Sequence, residues 1–253
     1  MISKVNKTVF SVTVILFSIF VRNVYTKLPS TLKKCSRNDP DINACIIKAV
    51  NMVRPLLATG DLGDGYHTPP LEPLCLDNIE MGRGRQFRAT FSDIQAKGGS
   101  DFIIDKLSAN TSAIAFDLAI TLPKISFTGK YTLRIKLLLL DIQGAGDMKG
   151  YFENAKAVVK MRGERYFKNS VEYVRFTKMP IRISVSNMKI QLNNLFNGDK
   201  VLGQVGNSII NENQELYLSE IIPGLEKGLS QKFLDIANEI LDTATYDEMF
   251  PPN

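Results

Sequence analysis

One histidine, three cysteines and a few glycine clusters are the residues of this chain whose types and spacing bear on reaction chemistry. His67 could act as the base of a Ser–His–acid triad, but no Gly-x-Ser-x-Gly elbow occurs anywhere to present the serine. It sits among glycines and prolines, between Gly65 and Pro69, and reads as an exposed loop histidine. Zinc needs three or four His, Cys or carboxylate ligands at set spacings, and the lone His67 does not complete such a set. Gly144-Ala145-Gly146 with Gly150 imitates a dinucleotide-binding turn, but the third glycine is misplaced and the flanking runs alternate like antiparallel strands. Asp61 to Asp64 is too short for a calcium loop and lacks its terminal glutamate. Asn110-Thr111-Ser112 is an N-glycosylation sequon. This inventory points to no catalytic group, no metal and no cofactor.

The cysteines become informative once the N-terminus is read. Lys4 and Lys7 precede an apolar run, Val9 to Val21, broken only by Ser11, Thr13 and Ser18. That is shorter than the roughly 20 residues a membrane-spanning helix requires. Val24 and Thr26 suit the −3 and −1 positions of a cleavage site, so residues 1–26 read as a signal peptide, a retained anchor being the alternative. Residues 27–253 then form a single secreted domain. In an oxidising compartment Cys35 and Cys45 read as a bridge, with two free thiols the alternative. Cys75 is left as a buried free thiol or an intermolecular link. The leader carries Lys4, Lys7 and Arg22 and no acid, so removing it takes the formal net charge from +5 to +2. With no basic stretch interleaved with aromatics, nucleic acid is not an expected partner.

The elements that would position any site divide by period. Asp39 is a candidate N-cap, Pro40 suits the first helical position, and Ile42, Cys45, Ile46, Ala49, Val50 and Val53 continue a helix to Leu57. From Gln86 the period becomes two. Phe87, Ala89 and Phe91 alternate with polar residues; so do Ile114 to Leu122, Tyr131 to Leu139, Ala155 to Met161 and Ile181 to Val185. Gly129-Lys130, Gly144 to Gly150, and Gly163 are expected as the turns between these runs. Helical spacing returns at Lys200 to Ile210 and dominates from Leu218 to Thr243, where Leu218, Ile221, Leu225, Leu229, Phe233, Ile236 and Ile240 share one face. Glu226, Lys227, Lys232, Asp235 and Glu239 are assigned to its wet side, and Pro223 to a kink or to the true start. Such a stripe needs a large apolar partner. The expected fold is α+β: a highly curved antiparallel sheet of six or so strands wrapped around one long C-terminal helix, with an additional N-terminal helix.

That architecture encloses an elongated apolar space. Its candidate lining is Phe116, Phe127, Tyr131, Leu133, Ile135, Phe152 and Phe176 from strands, with Leu229, Phe233, Ile236 and Ile240 from the long helix. Tyr131 and Thr132 are the hydroxyls expected to orient a ligand there.

Several blocks resemble a known family. Cys35 followed by Asp39-Pro40-Asp41-Ile42-Asn43-Ala44-Cys45 is similar to the opening of the takeout and insect juvenile hormone-binding proteins. Pro69-Pro70-Leu71-Glu72-Pro73-Leu74, Leu122-Pro123-Lys124 through Tyr131, Leu137 to Leu140 and Gly144-Ala145-Gly146 resemble its next blocks. Asn194 to Asp199, Asn211-Glu212-Asn213 and Tyr246-Asp247-Glu248-Met249-Phe250-Pro251 resemble its C-terminal ones. The resemblance covers the mature chain in the family's order. It implies the tubular lipid-binding fold, a Cys35–Cys45 disulfide and a monomeric extracellular carrier of a terpenoid hormone, fatty acid or similar lipid. The lack of a second cysteine pair in the sheet places the chain nearer the takeout branch. Receptor or membrane contact would deliver the ligand. The competing readings are a docking module with a collapsed tunnel and, weakest, a lipid esterase using His67.

Overall fold

The computed structural model describes residues 28–83, 87–137 and 140–252. The proposed signal peptide, Gln86 and Leu139 lie outside the described residues.

The first helix, α1 (Ile42–Thr59), begins later than its sequence suggests. Asp41, not Asp39, is the N-cap and accepts from the Ala44 N–H at 3.1 Å. Asp39 instead accepts from the Asp41 N–H at 2.9 Å, ordering the turn ahead of the helix and leaving Pro40 outside it. The disulfide joins Cys35 to Cys45 and so ties the arm to the first turns of α1. Cys75 is free but exposed, not buried as expected. It occupies the outward position between Leu74 and Leu76, whose side chains point into the core. The presumed loop around His67 contains a small hairpin, β1 (Asp61–Gly63) with β2 (Tyr66–His67).

The main sheet is wholly antiparallel. Its strands are β3 (Leu74–Arg83), β4 (Phe87–Lys97), β5 (Ile103–Asn110), β6 (Ala115–Leu137), β7 (Leu140–Lys168), β8 (Val171–Lys178), β9 (Ile181–Ser184) and β10 (Asn187–Leu192). The hydropathy periods do not mark β3, β5, β8 or β10 as strands. The glycines taken as turns lie inside the two longest strands, which pair without a register shift from Ala115↔Arg162 to Leu137↔Leu140. They are sites of close approach. A Cβ on Gly150 would sit 2.3 Å from the Lys189 carbonyl oxygen, and one on Gly144 would sit 2.9 Å from Leu195 Cα. The β6–β7 ribbon also changes face part-way. Phe116 and Ala157 point inward on one side of Pro123 and Asn154, whereas Phe127 and Met148 point inward on the other. Asn154 has a left-handed backbone, φ 51°, so the two strands switch parity together and the sheet curls instead of ending.

β8, β9 and β10 pair one after another along β7, and β3 forms the opposite border beside β4. Three helices follow: α2 (Lys200–Glu212), α3 (Gln214–Leu241) and the single turn α4 (Tyr246–Met249). α3 touches β3 on one side and β8, β9 and β10 on the other, closing the curled sheet lengthwise. Pro223 lies within α3, neither at its start nor before it.

The core is divided. A larger cluster gathers β3, β4, the second half of β6, the first half of β7, β10, α2 and the start of α3. A smaller one joins Ile114, Phe116, Val174 and Tyr246, with Phe176, Leu241 and Phe250 packed against it. In it Phe116 meets Phe176 edge-on at 5.9 Å and stacks on Phe250 at 6.2 Å. The Thr245–Glu248 capping box sets α4 so that Tyr246 is buried at this end, under Arg37 and Arg165.

Candidate ligand-binding interior

Antiparallel pairs share a face, so register places the inward side chains between the two cores. Leu118, Ile120 and Leu122 on β6 stand opposite Val159, Ala157 and Ala155 on β7, and Ile181 and Ile183 on β9 stand opposite Val159 and Ala157. Ala155, Ala157 and Ile181 are buried yet belong to neither cluster. Leu118, Ile120, Leu122, Val159 and Ile183 are only half-buried although they point inward. Over this floor α3 carries Leu225, Leu229, Phe233, Ile236 and Ile240, all half-buried as well. Side chains that face inward without being fully covered border space that other side chains leave unfilled. Ala155 and Ala157 are the small members of this floor.

The roof is held by polar residues of α3, among them Glu226, which the sequence assigns to the wet side. Among the described residues no strand lies beyond the border strands β8, β9 and β10, so their outer backbone groups need partners. Along α3, Glu226 accepts from the Ile183 N–H at 2.8 Å and pairs with Arg182 at 2.8 Å. Ser230 donates to the Met179 carbonyl at 2.6 Å. Asn238 accepts from the Phe176 N–H at 2.8 Å and donates to its carbonyl at 3.0 Å. α2 repeats the device: Asn207 and Asn211 each bond both backbone groups of Leu192 and Ile190, at 2.8–2.9 Å. Gln214 accepts from the Met188 N–H at 2.7 Å. The match is geometric, because four helical residues rise about 6 Å and two strand residues about 6.8 Å. Glu226 therefore is not on the wet side of α3; its side chain is only 13% exposed.

The residues expected to line the interior are distributed unevenly. Phe127, Tyr131, Leu133 and Ile135 are fully buried in the larger core, where Phe152 packs on Phe127 at 4.9 Å between ring centroids. Phe116 and Phe176 lie in the smaller core. On α3, Leu229 and Phe233 are half-buried and pack against the larger core, whereas Ile236 and Ile240 are half-buried and belong to neither cluster. The tyrosine hydroxyl is engaged: Tyr131 donates to the Asn193 carbonyl at 2.6 Å, and burial pushes its pKa up to about 12. Thr132 is exposed. The floor positions Leu118 to Leu122 and Ala155 to Val159 were legible as alternating runs, and their small members were the available signal of an incompletely filled interior.

Outside the interior, the His67 Nδ1 is 3.9 Å from Asp61 Oδ1, with both side chains largely exposed. Asn110 is exposed at the end of β5 and accepts from the Ala113 N–H at 2.9 Å, while the neighbouring Thr111 is buried.

The family model described as haemolymph juvenile hormone binding protein (JHBP) matches residues 12–251. The chain belongs to this family. Family membership places it among hydrophobic-ligand binders with the takeout-type tubular lipid-binding fold. Two similar relatives are the circadian clock-controlled proteins daywake of Drosophila melanogaster and Drosophila yakuba. Each is 22% identical, over 233 and 240 residues respectively, with 88% of both chains covered. The crystal structure of Takeout 1 from Epiphyas postvittana superposes with a TM-score of 0.75 at 22% identity, covering 87% of this chain and all of the other. At that identity the likeness establishes the fold, and this JHBP-family chain shares its curled sheet and long closing helix.

Proposed function

We propose that the protein is a secreted, monomeric carrier that holds a small hydrophobic ligand between its two cores, under α3. The observation that carries this reading is the middle band: half-buried hydrocarbon on β6, β7 and β9, with Ile236 and Ile240 of α3, that belongs to neither core. In this reading residues 1–26 direct export and residues 27–253 form the carrier domain. The ligand class is a long, thin lipid such as a fatty acid or terpenoid, handed over by contact with a receptor or membrane. Burying about 12 methylenes at ~0.8 kcal/mol each supplies ~10 kcal/mol before ordering costs, enough for micromolar binding without any polar anchor. The residues expected to meet the ligand are Leu229, Phe233, Ile236 and Ile240 from the roof, with Leu118, Ile120 and Ala157 from the floor.

The deciding experiment is native mass spectrometry of protein secreted from insect cells, followed by organic extraction and titration with a fluorescent fatty acid. The expected result is a co-purifying lipid, or saturable probe uptake that unlabelled lipids compete away. Protein that emerges lipid-free and takes up no probe would overturn the proposal.

A further inference from the structure

α2 is apolar on two sides. Its inner side is fixed to the sheet: Gly206 and Ile210 are buried, and Asn207 and Asn211 bond the backbone of β10. The other side of its first two turns carries Val201, Leu202 and Val205, which are 70%, 49% and 50% exposed. A helix with hydrocarbon on both sides is ordinarily covered on both, and a clustered apolar patch left in water marks a surface that meets something else. Beside the patch, a groove of about 1400 Å³ runs between α2 and the outer face of β7 and β10. Lys149 and Lys189 line its sheet side and Lys200 its helix side. Lys149 stands opposite Gln191, two residues along β10 from Lys189, so the two lysines share that outer face. Among the described residues these three lysines form no ion pair, whereas Lys124, Lys130, Arg134 and Lys136 of the neighbouring β6 each have a carboxylate partner. The carboxylates that line the groove lie at the two ends of α2. Asp199 caps the helix by accepting from the Val201 and Leu202 N–H groups, and Glu212 is its last residue.

We infer that this corner of the molecule, Val201, Leu202 and Val205 with Lys149, Lys189 and Lys200, docks on an anionic phospholipid membrane. The aliphatic side chains enter the boundary between headgroups and acyl chains, and the lysines meet the negative charge of the headgroups. Charge complementarity favours such a surface over a second copy of the chain. A twofold contact through this face would bring the unpaired lysines of the two copies toward one another. The use of docking for ligand handover rests on the carrier reading, whereas docking itself needs no bound ligand, so the two are tested apart.

Protein secreted from insect cells is co-sedimented with vesicles of phosphatidylcholine alone and of phosphatidylcholine mixed with phosphatidylserine. Binding should be confined to the mixture, and Lys149→Gln with Lys189→Gln should weaken it by about twentyfold. Val201→Ser with Leu202→Ser should weaken it by about tenfold or more. Because both side chains are exposed, the circular dichroism and the fluorescent fatty-acid uptake of that variant should match the parent's. Phe167→Ser removes a similarly exposed apolar side chain from the β7–β8 hairpin and should change nothing. Recovery on neither kind of vesicle, or equal recovery on both, would overturn the docking surface. So would a Val201→Ser, Leu202→Ser variant that binds as the parent does, or a Phe167→Ser variant that weakens binding as much. A dimer seen by analytical ultracentrifugation and abolished by Val201→Ser with Leu202→Ser would assign the face to a second copy and overturn the membrane as its occupant. A parent that docks on the mixed vesicles but takes up no fatty acid would overturn the carrier reading alone.

Discussion

Asn207 and Asn211 show how much a single side chain does at the border of this sheet. Each primary amide offers one acceptor and one donor in the geometry of a peptide group, so it completes the strand ladder where no further strand exists. Asn207→Leu keeps the volume but leaves the Leu192 N–H and carbonyl without their partner. We expect a loss of about 1–3 kcal/mol, read from urea unfolding monitored by circular dichroism; a change within error would mean water replaces the amide at no cost. Glu72 makes a prediction about pH. Burial pushes its carboxyl up, but the Gly98 and Ser100 N–H groups and the Ser100 hydroxyl all donate to it, and the net shift is downward. A carboxylate with a depressed folded pKa adds stability above its unfolded value of about 4.3 and loses that stability as pH falls through the folded value. Unfolding free energy should therefore drop on acidification below about pH 5. Glu72→Gln should flatten part of that slope and lower stability at neutral pH. Parallel pH profiles for the two proteins would contradict this.

At the scale of elements, α3 has two jobs on adjacent faces. Leu225, Leu229, Phe233, Ile236 and Ile240 roof the interior, and Glu226, Ser230 and Asn238 close the border strands. Phe233→Asp would place an unpaired carboxylate against that apolar face at a cost of several kcal/mol. The variant should unfold or lose probe uptake; a folded variant with normal uptake would mean the stripe faces water. The N-terminal arm is held covalently. The Cys35–Cys45 link closes a loop of sequence separation 10, for which chain entropy gives about 2.7 kcal/mol. Cys45→Ala should lower thermal stability, whereas Cys75→Ala, at an exposed free thiol, should leave the melting temperature nearly unchanged. Equal shifts for the two variants would contradict the assignment.

For the whole molecule, the division of the core into two packed ends with a half-covered middle sets the expected selectivity. Affinity for saturated chains from C10 to C20 should rise by up to ~0.8 kcal/mol per methylene and then level off when the band is full. Because the middle positions carry hydrocarbon and the chain without residues 1–26 has a formal net charge of +2, raising ionic strength should change these affinities little. Isothermal titration across the series at low and high salt measures both. A flat dependence on length, or strong weakening by salt, would indicate a charged head-group site instead.

Periodicity alone determined the kinds of element. A stripe recurring every three or four residues from Leu218 onward can be satisfied only by a long helix with an apolar partner, and alternation from Phe87 to Val185 only by one-faced strands. The closeness of Cys35 and Cys45 to one helix start pointed to their bridge. Strand lengths were not legible. Gly129, Gly144 and Gly150 look like turns in sequence, and only the crossing of β10 and Leu195 behind β7 shows that Gly144 and Gly150 are there to admit neighbouring backbone. The runs Ile114 to Leu122 and Tyr131 to Leu139 read as two strands, whereas the unshifted register with β7 across Pro123 and Asn154 makes them one ribbon with a bend. Likewise Glu226 reads as solvent-facing by type, and nothing in sequence marks Asn207 or Asn238 as backbone partners, because hydropathy cannot report a partner far away in the chain. Which aromatics fill a core and which border open space was decided by tertiary packing alone. An inward direction is a local property of a strand or helix, but being covered depends on every element that arrives opposite it.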